Sequence, residues 1–214
     1  MEAKLYNETV DFLKQIFKDD ADGHDLDHTL RVYRTSMKIA ESEYCNEFLI
    51  GISALLHDVD DYKLSPDTAR NHLNANTFMK KQGIPESQRD AVIHIIEQVS
   101  FSNMKPGAPD SIEAQIVQDA DRLDAIGAIG IARVFAYGGA HGRRMHDPDI
   151  LPQMNMSKEE YRAHISTDVN HFYEKLFLLK ERMNTDTAKQ IAEQRQKVMQ
   201  EWLNEFLLEW NGQR

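Results

Sequence analysis

A histidine–aspartate pair comes directly after a strongly apolar stretch of the chain. His57 and Asp58 follow the run FLIGISALL, which has the composition of a buried helix. An imidazole and a carboxylate are costly to bury at such a place unless they pair or bind a cation. The pair therefore indicates a metal site or a catalytic site. For these two residues alone, a helix end that turns into solvent is an equally good explanation.

A second candidate group lies at the start of an earlier predicted helix. His28 begins a helix whose remaining face is apolar, and His24 precedes it by one helical turn, so the two imidazoles can share a side. Asp25 and Asp27 stand between them. The alternative is that one of these aspartates caps the helix and both histidines are surface residues.

A third group consists of carboxylates inside an otherwise apolar helix. At helical spacing, Asp121 and Asp124 are neighbours on one side, whereas Asp119 lies on a different side. Three acids in so apolar a helix indicate a site. A structural ion pair with Arg122 is the alternative.

The elements that must position these groups are helices. Apolar residues recur with the helical period, and no segment of strand length alternates between turn residues. The predicted helices cover residues 5–16, 26–44, 47–59, 66–83, 85–99, 111–137, 157–183 and 186–210. A capping box at Ser157 and Glu160 begins the seventh of them. We predict an all-α fold, an orthogonal multi-helix bundle.

Composition and charge restrict the partners. The formal net charge of −10 argues against polymeric nucleic acid and anionic membranes, which require a basic face. A small anionic substrate remains open because a bound cation can reverse the local field. The single cysteine excludes an internal disulfide, and no apolar run has the roughly 20 residues of a membrane span. The N-terminus also lacks the apolar segment of a signal peptide, so we predict a cytoplasmic protein.

Taken together, these groups resemble the HD superfamily of metal-dependent phosphohydrolases, whose pattern is His … His-Asp … Asp on separate helices. His28 matches the first position in the form His-x-x-Arg-Val, His57-Asp58 matches the doublet, and Asp121 matches the last acid in the form Ala-Asp-Arg-Leu. Residues 20–210 also resemble a bacterial single-domain branch. Some members of that branch cleave nucleoside triphosphates to a monophosphate and pyrophosphate.

The resemblance implies a ligand set and a domain organisation. His28, His57, Asp58 and Asp121 would hold one divalent transition metal, and this mixed N/O set suits Mn²⁺, with Ni, Co, Fe, Zn or Mg as alternatives. We expect one HD-type domain over residues 1–214. Its metal-site core would cover residues 20–137, with the helices of residues 157–210 packed on it.

The expected reaction is the attack of a metal-bound water on a phosphate of the substrate. Asp61 or Glu97 would orient or deprotonate this water. The leaving group needs a cation, and Lys63, shortly after the doublet, is the first choice.

Further polar residues are candidates for substrate contact. We expect Arg122, Lys175 and His94 to make further phosphate contacts, although surface roles for the cations and a core role for His94 are the alternatives. The stretch Gly138–Met156 carries His141, Arg143, Arg144 and His146 and is either a flap over the substrate or a surface excursion. An apolar stripe on the last helix indicates core or a dimer contact; it comprises Trp202, Phe206, Leu207 and Trp210.

Other functions fit the same residues. A phosphomonoesterase or phosphodiesterase would share the metal chemistry and differ only in the leaving group. An oxygen-using di-iron protein would need His72 and His94 as additional ligands. A non-catalytic homodimer could bind a nucleotide or phosphorylated ligand and the metal, and the histidines and acids could also be unrelated surface residues.

Overall fold

The computed structural model describes residues 1–17, 25–62, 65–99, 108–154, 156 and 164–214. His24, Lys63 and the predicted capping box of Ser157 and Glu160 lie outside these residues. The α-helices are α1 (Ala3–Ile16), α2 (Leu26–Ala40), α3 (Glu47–Leu56), α4 (Pro66–Ala69), α5 (Leu73–Lys81), α6 (Glu86–Val99), α7 (Ile112–Asp124), α8 (Gly127–Ala140), α9 (Asp168–Glu174) and α10 (Asp186–Trp210). Two 3₁₀ turns, Leu176–Leu178 and Lys180–Arg182, precede α10. These described ranges contain no strand, so the all-α prediction is confirmed.

Three of the predicted helices are divided in the structure. In the described part of the stretch 157–183, residues 164–167 are not helical, and α9 and the two 3₁₀ turns follow in place of one helix. The stretch from residue 66 to residue 83 separates into α4 and α5, and His72, just before α5, has a left-handed backbone with φ of 46°. The stretch from residue 111 to residue 137 breaks before Gly127, whose φ is 78°. Glycine adopts this conformation without a steric penalty. The single-helix predictions over residues 66–83 and 111–137 were wrong because apolar periodicity continues across both breaks.

Residues Met1–Asp121 form one compact unit with α3 at its centre. Helix α3 packs against α1, α2 and α6, and every residue from Ile50 to Leu56 is buried. This burial explains why α3 is apolar on all sides. The surrounding core includes side chains from α1, α5 and α6: Leu13, Phe78, Met79, Val92 and Ile96. Because α3 ends inside this core, the residues that follow it start from a buried position.

Residues Arg122–Arg214 form the second compact unit, in which α8 packs against α9 and α10. The ring of Trp202 stacks on Phe172 with 5.6 Å between centroids and on Phe206 with 5.2 Å. Two members of the predicted apolar stripe therefore belong to an aromatic core, while Trp210 is 44% exposed. The homodimer and the single-domain organisation stay predictions.

The described helices also bear on membrane insertion. In the part of the chain that the structure covers, no single helix is long and apolar enough to cross a membrane. Among the described helices, α7 and α8 taken together, across the break between them, reach the necessary length and composition. The cytoplasmic location stays a prediction.

Candidate metal centre

The first histidine of the centre is fixed by the cap of α2. Asp25 is the N-cap residue, and its Oδ1 accepts a hydrogen bond of 2.6 Å from the backbone N–H of His28. The His28 side chain is nevertheless buried, with 2% of the residue exposed. The capping role of Asp25 is therefore confirmed, and the surface alternative for His28 is wrong.

The second histidine is oriented by the last turn of α3. The Nδ1 atom of His57 lies 2.9 Å from the carbonyl oxygen of Ala54. A carbonyl only accepts hydrogen bonds, so Nδ1 carries the proton and the lone pair is on Nε2. Metal-binding histidines are commonly oriented by such a bond to a backbone carbonyl.

The Nε2 atom of His57 is buried without a hydrogen-bond partner among the described residues. Asp58 Oδ2 is the nearby acidic atom at 3.2 Å, but the two atoms lack hydrogen-bond geometry. An unsatisfied buried polar atom is costly. A cation bound to the Nε2 lone pair would remove this cost, so the residues present fit a metal ion.

Three helix regions bring the potential donor atoms together. The Nε2 atom of His28 lies 3.4 Å from Asp58 Oδ2 and 3.4 Å from Asp121 Oδ1. The ligand atoms of His28, His57 and Asp58 all lie within 4.8 Å of one another. Donors bound at about 2.1 Å to one tetrahedral or octahedral ion are separated by roughly 3.0–3.4 Å. The spacing therefore suits a single ion, and the ligand roles themselves stay a prediction.

The charges in this cluster favour a divalent cation. Burial lowers the pKa of His57, but the carboxylates of Asp58 and Asp121 more than offset it, so this pKa lies above its usual value. Burial raises the pKa of Asp121, and the hydrogen bond and charge of His28 reverse this, so the pKa lies below its usual value. Both directions show that the cluster attracts positive charge. A metal ion would compete with protons for the same atoms.

Sequence reasoning missed Asp60, which holds the turn after the doublet in place. Its two carboxylate oxygens accept hydrogen bonds from the backbone N–H groups of Asn74 and Ala75, at 3.0 and 2.9 Å. The side chain of Asn74 donates in return to the Val59 carbonyl at 3.1 Å. Asp60 thus ties the turn that carries Asp58 to the start of α5. The sequence has no signal for this contact, because Asp60 and Asp61 are adjacent acids in one polar turn.

Glu97 and Asp61, the two residues proposed to activate the water, have different neighbours in the structure. Glu97 Oε1 lies 3.8 Å from Nε2 of His72, and the Glu97 side chain is 54% exposed. The backbone N–H of Asp61 donates to the carbonyl of Asp58 at 3.0 Å, so this acid belongs to the same turn as the doublet. Asp61 is partly buried. The general-base role of either residue stays a prediction.

The residues predicted to contact phosphate belong to both units and have different partners within them. His94 pairs with Asp110 at 2.8 Å with 57% of its side chain exposed, so a core role for His94 is wrong. The guanidinium of Arg122 donates to the carbonyl of Arg182 within the second unit. Lys175 is the C-cap residue of α9 in the same unit.

The acids of α7 also separate into different roles. Asp119 is fully buried, and Asp124 forms an ion pair of 2.6 Å with Arg133. Asp121 stays 31% exposed by its side chain and faces His28. Of the three acids, Asp121 is therefore the one that joins the cluster while remaining accessible.

Comparisons with known proteins agree with this geometry. The HD domain model matches residues 25–126. Protein YpgQ of Bacillus subtilis (strain 168) is 37% identical over 210 residues, which are 96% of this chain and 93% of YpgQ. A structure of YpgQ in complex with ADP has a TM-score of 0.72 and 35% identity, and the match covers 92% of this chain and 95% of that one.

Two further solved structures are similar over almost their whole length. An HD-superfamily hydrolase from Bacillus thuringiensis has a TM-score of 0.77 and 42% identity, and the match covers 97% of each chain. A structure from Lactobacillus plantarum has a TM-score of 0.80 and 38% identity, with 99% of each chain covered. The motif residues, the helical fold and these matches show that the chain belongs to the HD-domain superfamily.

Proposed function

We propose that this protein is a metal-dependent phosphohydrolase that cleaves a nucleoside triphosphate or a related nucleotide to the monophosphate and pyrophosphate. The observation that carries the proposal is the cluster of His28, His57 and Asp58 around the unpartnered Nε2 of His57. Asp121 completes the cluster through its contact with His28. The B. thuringiensis neighbour, an HD-superfamily hydrolase, supports hydrolysis as the type of reaction.

Each residue of the cluster has a definite task in this proposal. A divalent cation, with Mn²⁺ as the first choice, supplies an activated water and positive charge at the reacting phosphate. The Ala54 carbonyl keeps His57 in the tautomer that presents Nε2. Asp58 and Asp121 supply the negative charge that balances a divalent ion.

The remaining roles concern proton transfer and the phosphates. Asp61 or Glu97 accepts a proton from the attacking water. Lys63, Arg122, Lys175 and His94 are proposed to bind phosphate oxygens. The structure of YpgQ with ADP supports a nucleotide as the ligand, because that protein is 37% identical to this chain over nearly its whole length.

Product analysis tests the proposal. The purified chain is incubated with Mn²⁺ and a panel of ribo- and deoxyribonucleoside triphosphates, and pyrophosphate and orthophosphate are measured separately. We expect stoichiometric monophosphate and pyrophosphate. Orthophosphate as the first product would favour a phosphomonoesterase, and binding without turnover would favour a non-catalytic nucleotide-binding protein.

A matched pair of variants connects the activity to the cluster. Asp121→Asn removes one carboxylate from the cluster and is expected to abolish turnover. Asp186→Asn is the control, since the Asp186 side chain is 90% exposed at the start of α10 and pairs with its neighbour Lys189. Equal activity of the two variants would show that the cluster takes no part in the reaction.

A further inference from the structure

Arg143, on the loop after α8, is restrained by contacts within the protein. Its backbone N–H donates to the carbonyl of Gly138 at 2.8 Å. Its guanidinium lies 3.6 Å from Asp168 Oδ1 and 5.4 Å from the centre of the Tyr137 ring. The Arg143 side chain is still 28% exposed. An arginine that is both restrained and accessible loses little further freedom when it binds a ligand.

The residue that restrains Arg143 is an unusual buried carboxylate. Asp168 is 1% exposed, and its Oδ1 has no hydrogen-bond partner among the described residues. Burial raises the pKa of Asp168 to about 6, and the charge of Arg143 offsets only part of this effect. A Cβ atom on Gly138 would lie 2.1 Å from Asp168 Oδ2, so only glycine allows the carboxylate to occupy this place.

The backbone joins the arginine loop to α9. The N–H of Asp168 donates to the Arg144 carbonyl at 3.0 Å, and the N–H of Val169 donates to the Met145 carbonyl at 2.9 Å. These bonds hold the loop beside the first turn of α9. The interpretation of this loop as a surface excursion is therefore wrong at Arg144 and Met145. Arg143, the preceding residue, has a defined place next to this helix.

A neutral imidazole and a second cation follow Asp168 on α9 and at its C-terminal end. His171 follows Asp168 by one helical turn, and the backbone N–H of Lys175, the C-cap residue, donates to the His171 carbonyl at 3.0 Å. Burial lowers the pKa of His171 to about 3, and the charges of Lys175 and Arg143 both add to this effect. The charges of both cations therefore act on an imidazole that is uncharged at neutral pH. A neutral imidazole can still donate one hydrogen bond.

We infer that Arg143, His171 and Lys175 form a binding site for a phosphate or pyrophosphate anion in the unit Arg122–Arg214. Asp168 positions Arg143 in this site. Fork-shaped guanidinium groups and ammonium groups are the usual partners of such anions, and the site stands out in a chain of net charge −10. The choice of a phosphate ligand rests on the proposed function, whereas the site itself does not need the metal centre.

Calorimetric titration of the full chain with inorganic pyrophosphate, in EDTA, tests this inference without divalent metal. We expect binding by the wild type and a loss of affinity on the order of tenfold or more in Arg143→Gln, because one charge-assisted contact disappears. Arg144→Gln is the matched control. Arg144 is the next residue, its side chain is 73% exposed, and it pairs with Asp147.

Two results would overturn the inference. One is the absence of pyrophosphate binding to the wild type at millimolar concentration, and the other is an equal effect of Arg143→Gln and Arg144→Gln. Circular dichroism checks that both variants are folded, and Arg143→Lys replaces Arg143→Gln if the latter unfolds. Lysine keeps the charge but lacks the planar fork, so weaker binding is again expected.

The same measurements separate this site from the proposed function. A chain that hydrolyses nucleotides with Mn²⁺ but does not bind pyrophosphate in EDTA retains its function and loses this site. A chain that binds pyrophosphate through Arg143 but releases no product from any nucleotide retains the site and loses the proposed function.

Discussion

Both units of this protein contain a histidine on the same chain segment as a poorly exposed aspartate, with opposite electrostatic results. In the metal centre, the carboxylates of Asp58 and Asp121 outweigh burial and raise the pKa of His57. In the second unit, burial dominates, and together with two cations it lowers the pKa of His171 to about 3. The first environment attracts a positive charge that its residues do not provide. The second already contains its cation, Arg143.

The difference shows that neighbours, and not residue types, decide what a buried histidine or aspartate can do. His57 has an acidic neighbour within 3.2 Å and an unpartnered Nε2, so it suits a cation. His171 lies beside Arg143 and Lys175, so it suits an anion. Each of the following predictions changes one side of this comparison.

The largest effect is expected from a substitution in the candidate metal-binding cluster. His57→Ala removes the unpartnered Nε2 atom, and we expect the chain to lose its bound metal. Phosphohydrolase activity should fall by more than about 100-fold, which exceeds the usual cost of losing an outer-shell partner. Metal content is measured by elemental analysis and activity by pyrophosphate release. Unchanged metal content would contradict the assignment of His57.

Addition of a divalent metal should stabilise the folded chain by binding to the same cluster. A cation that binds only the folded state at 100 times its Kd adds about 2.7 kcal/mol. For a chain of this size, we expect Tm to rise by roughly 5–10 °C. Scanning calorimetry with and without Mn²⁺ measures the shift. The shift should persist in Asp168→Asn and vanish in His57→Ala, and a shift of equal size in both would contradict the comparison.

Asp60 and Asp168 are two buried aspartates whose substitution by asparagine should change stability in opposite directions. Asp60 accepts two backbone hydrogen bonds, so Asp60→Asn leaves one N–H donor without its acceptor. We expect a loss of stability of roughly 1–3 kcal/mol, measured by denaturant unfolding. The exposed Asp67 serves as the control in Asp67→Asn. Equal stability of the two variants would show that Asp60 does not hold the turn.

Asp168→Asn should stabilise the folded chain at pH 8, in contrast to Asp60→Asn. This effect should be the smallest of those predicted. The pKa of Asp168 is about 6 in the folded chain, above the value of about 3.9 for an unfolded chain. The contribution of this group to stability is therefore complete below about pH 4 and is lost as the pH rises to about 6. Asparagine avoids the buried charge, so we expect a Tm a few degrees higher at pH 8 and a flatter pH dependence between pH 4 and pH 6.

The outcome for Asp168→Asn separates burial from ion pairing. Calorimetric scans at pH 4, 6 and 8 give the three Tm values for the wild type and the variant. A lower Tm for the variant at pH 8 would mean that the contact between Asp168 and Arg143 outweighs the burial of the carboxylate.

The helical fold could be predicted from the sequence because it depends on local periodicity. The apolar residues of α3 indicated burial, and that helix is buried from Ile50 to Leu56. Spacing also restricted the N-cap of α2 to Asp25 or Asp27, and Asp25 is the residue that caps the helix. The break before Gly127 was not, because a positive φ at one glycine leaves the apolar pattern on both sides unchanged.

Contacts between distant segments were the least predictable part of the candidate sites. The cluster residues could be chosen because their order and spacing resemble a family pattern. Asp60 holds Asn74 and Ala75, and Asp168 lies against Gly138, through contacts that no local pattern encodes. The pairing of His94 with Asp110 likewise depends on how the chain folds back after α6.

Anomalous diffraction at the manganese edge, from crystals of the chain grown with Mn²⁺, tests the metal centre most directly. We predict one strong peak at about 2.0–2.3 Å from the Nε2 atoms of His28 and His57 and from carboxylate oxygens of Asp58 and Asp121. A peak elsewhere, or none at these residues in a crystal saturated with Mn²⁺, would contradict the proposed metal centre.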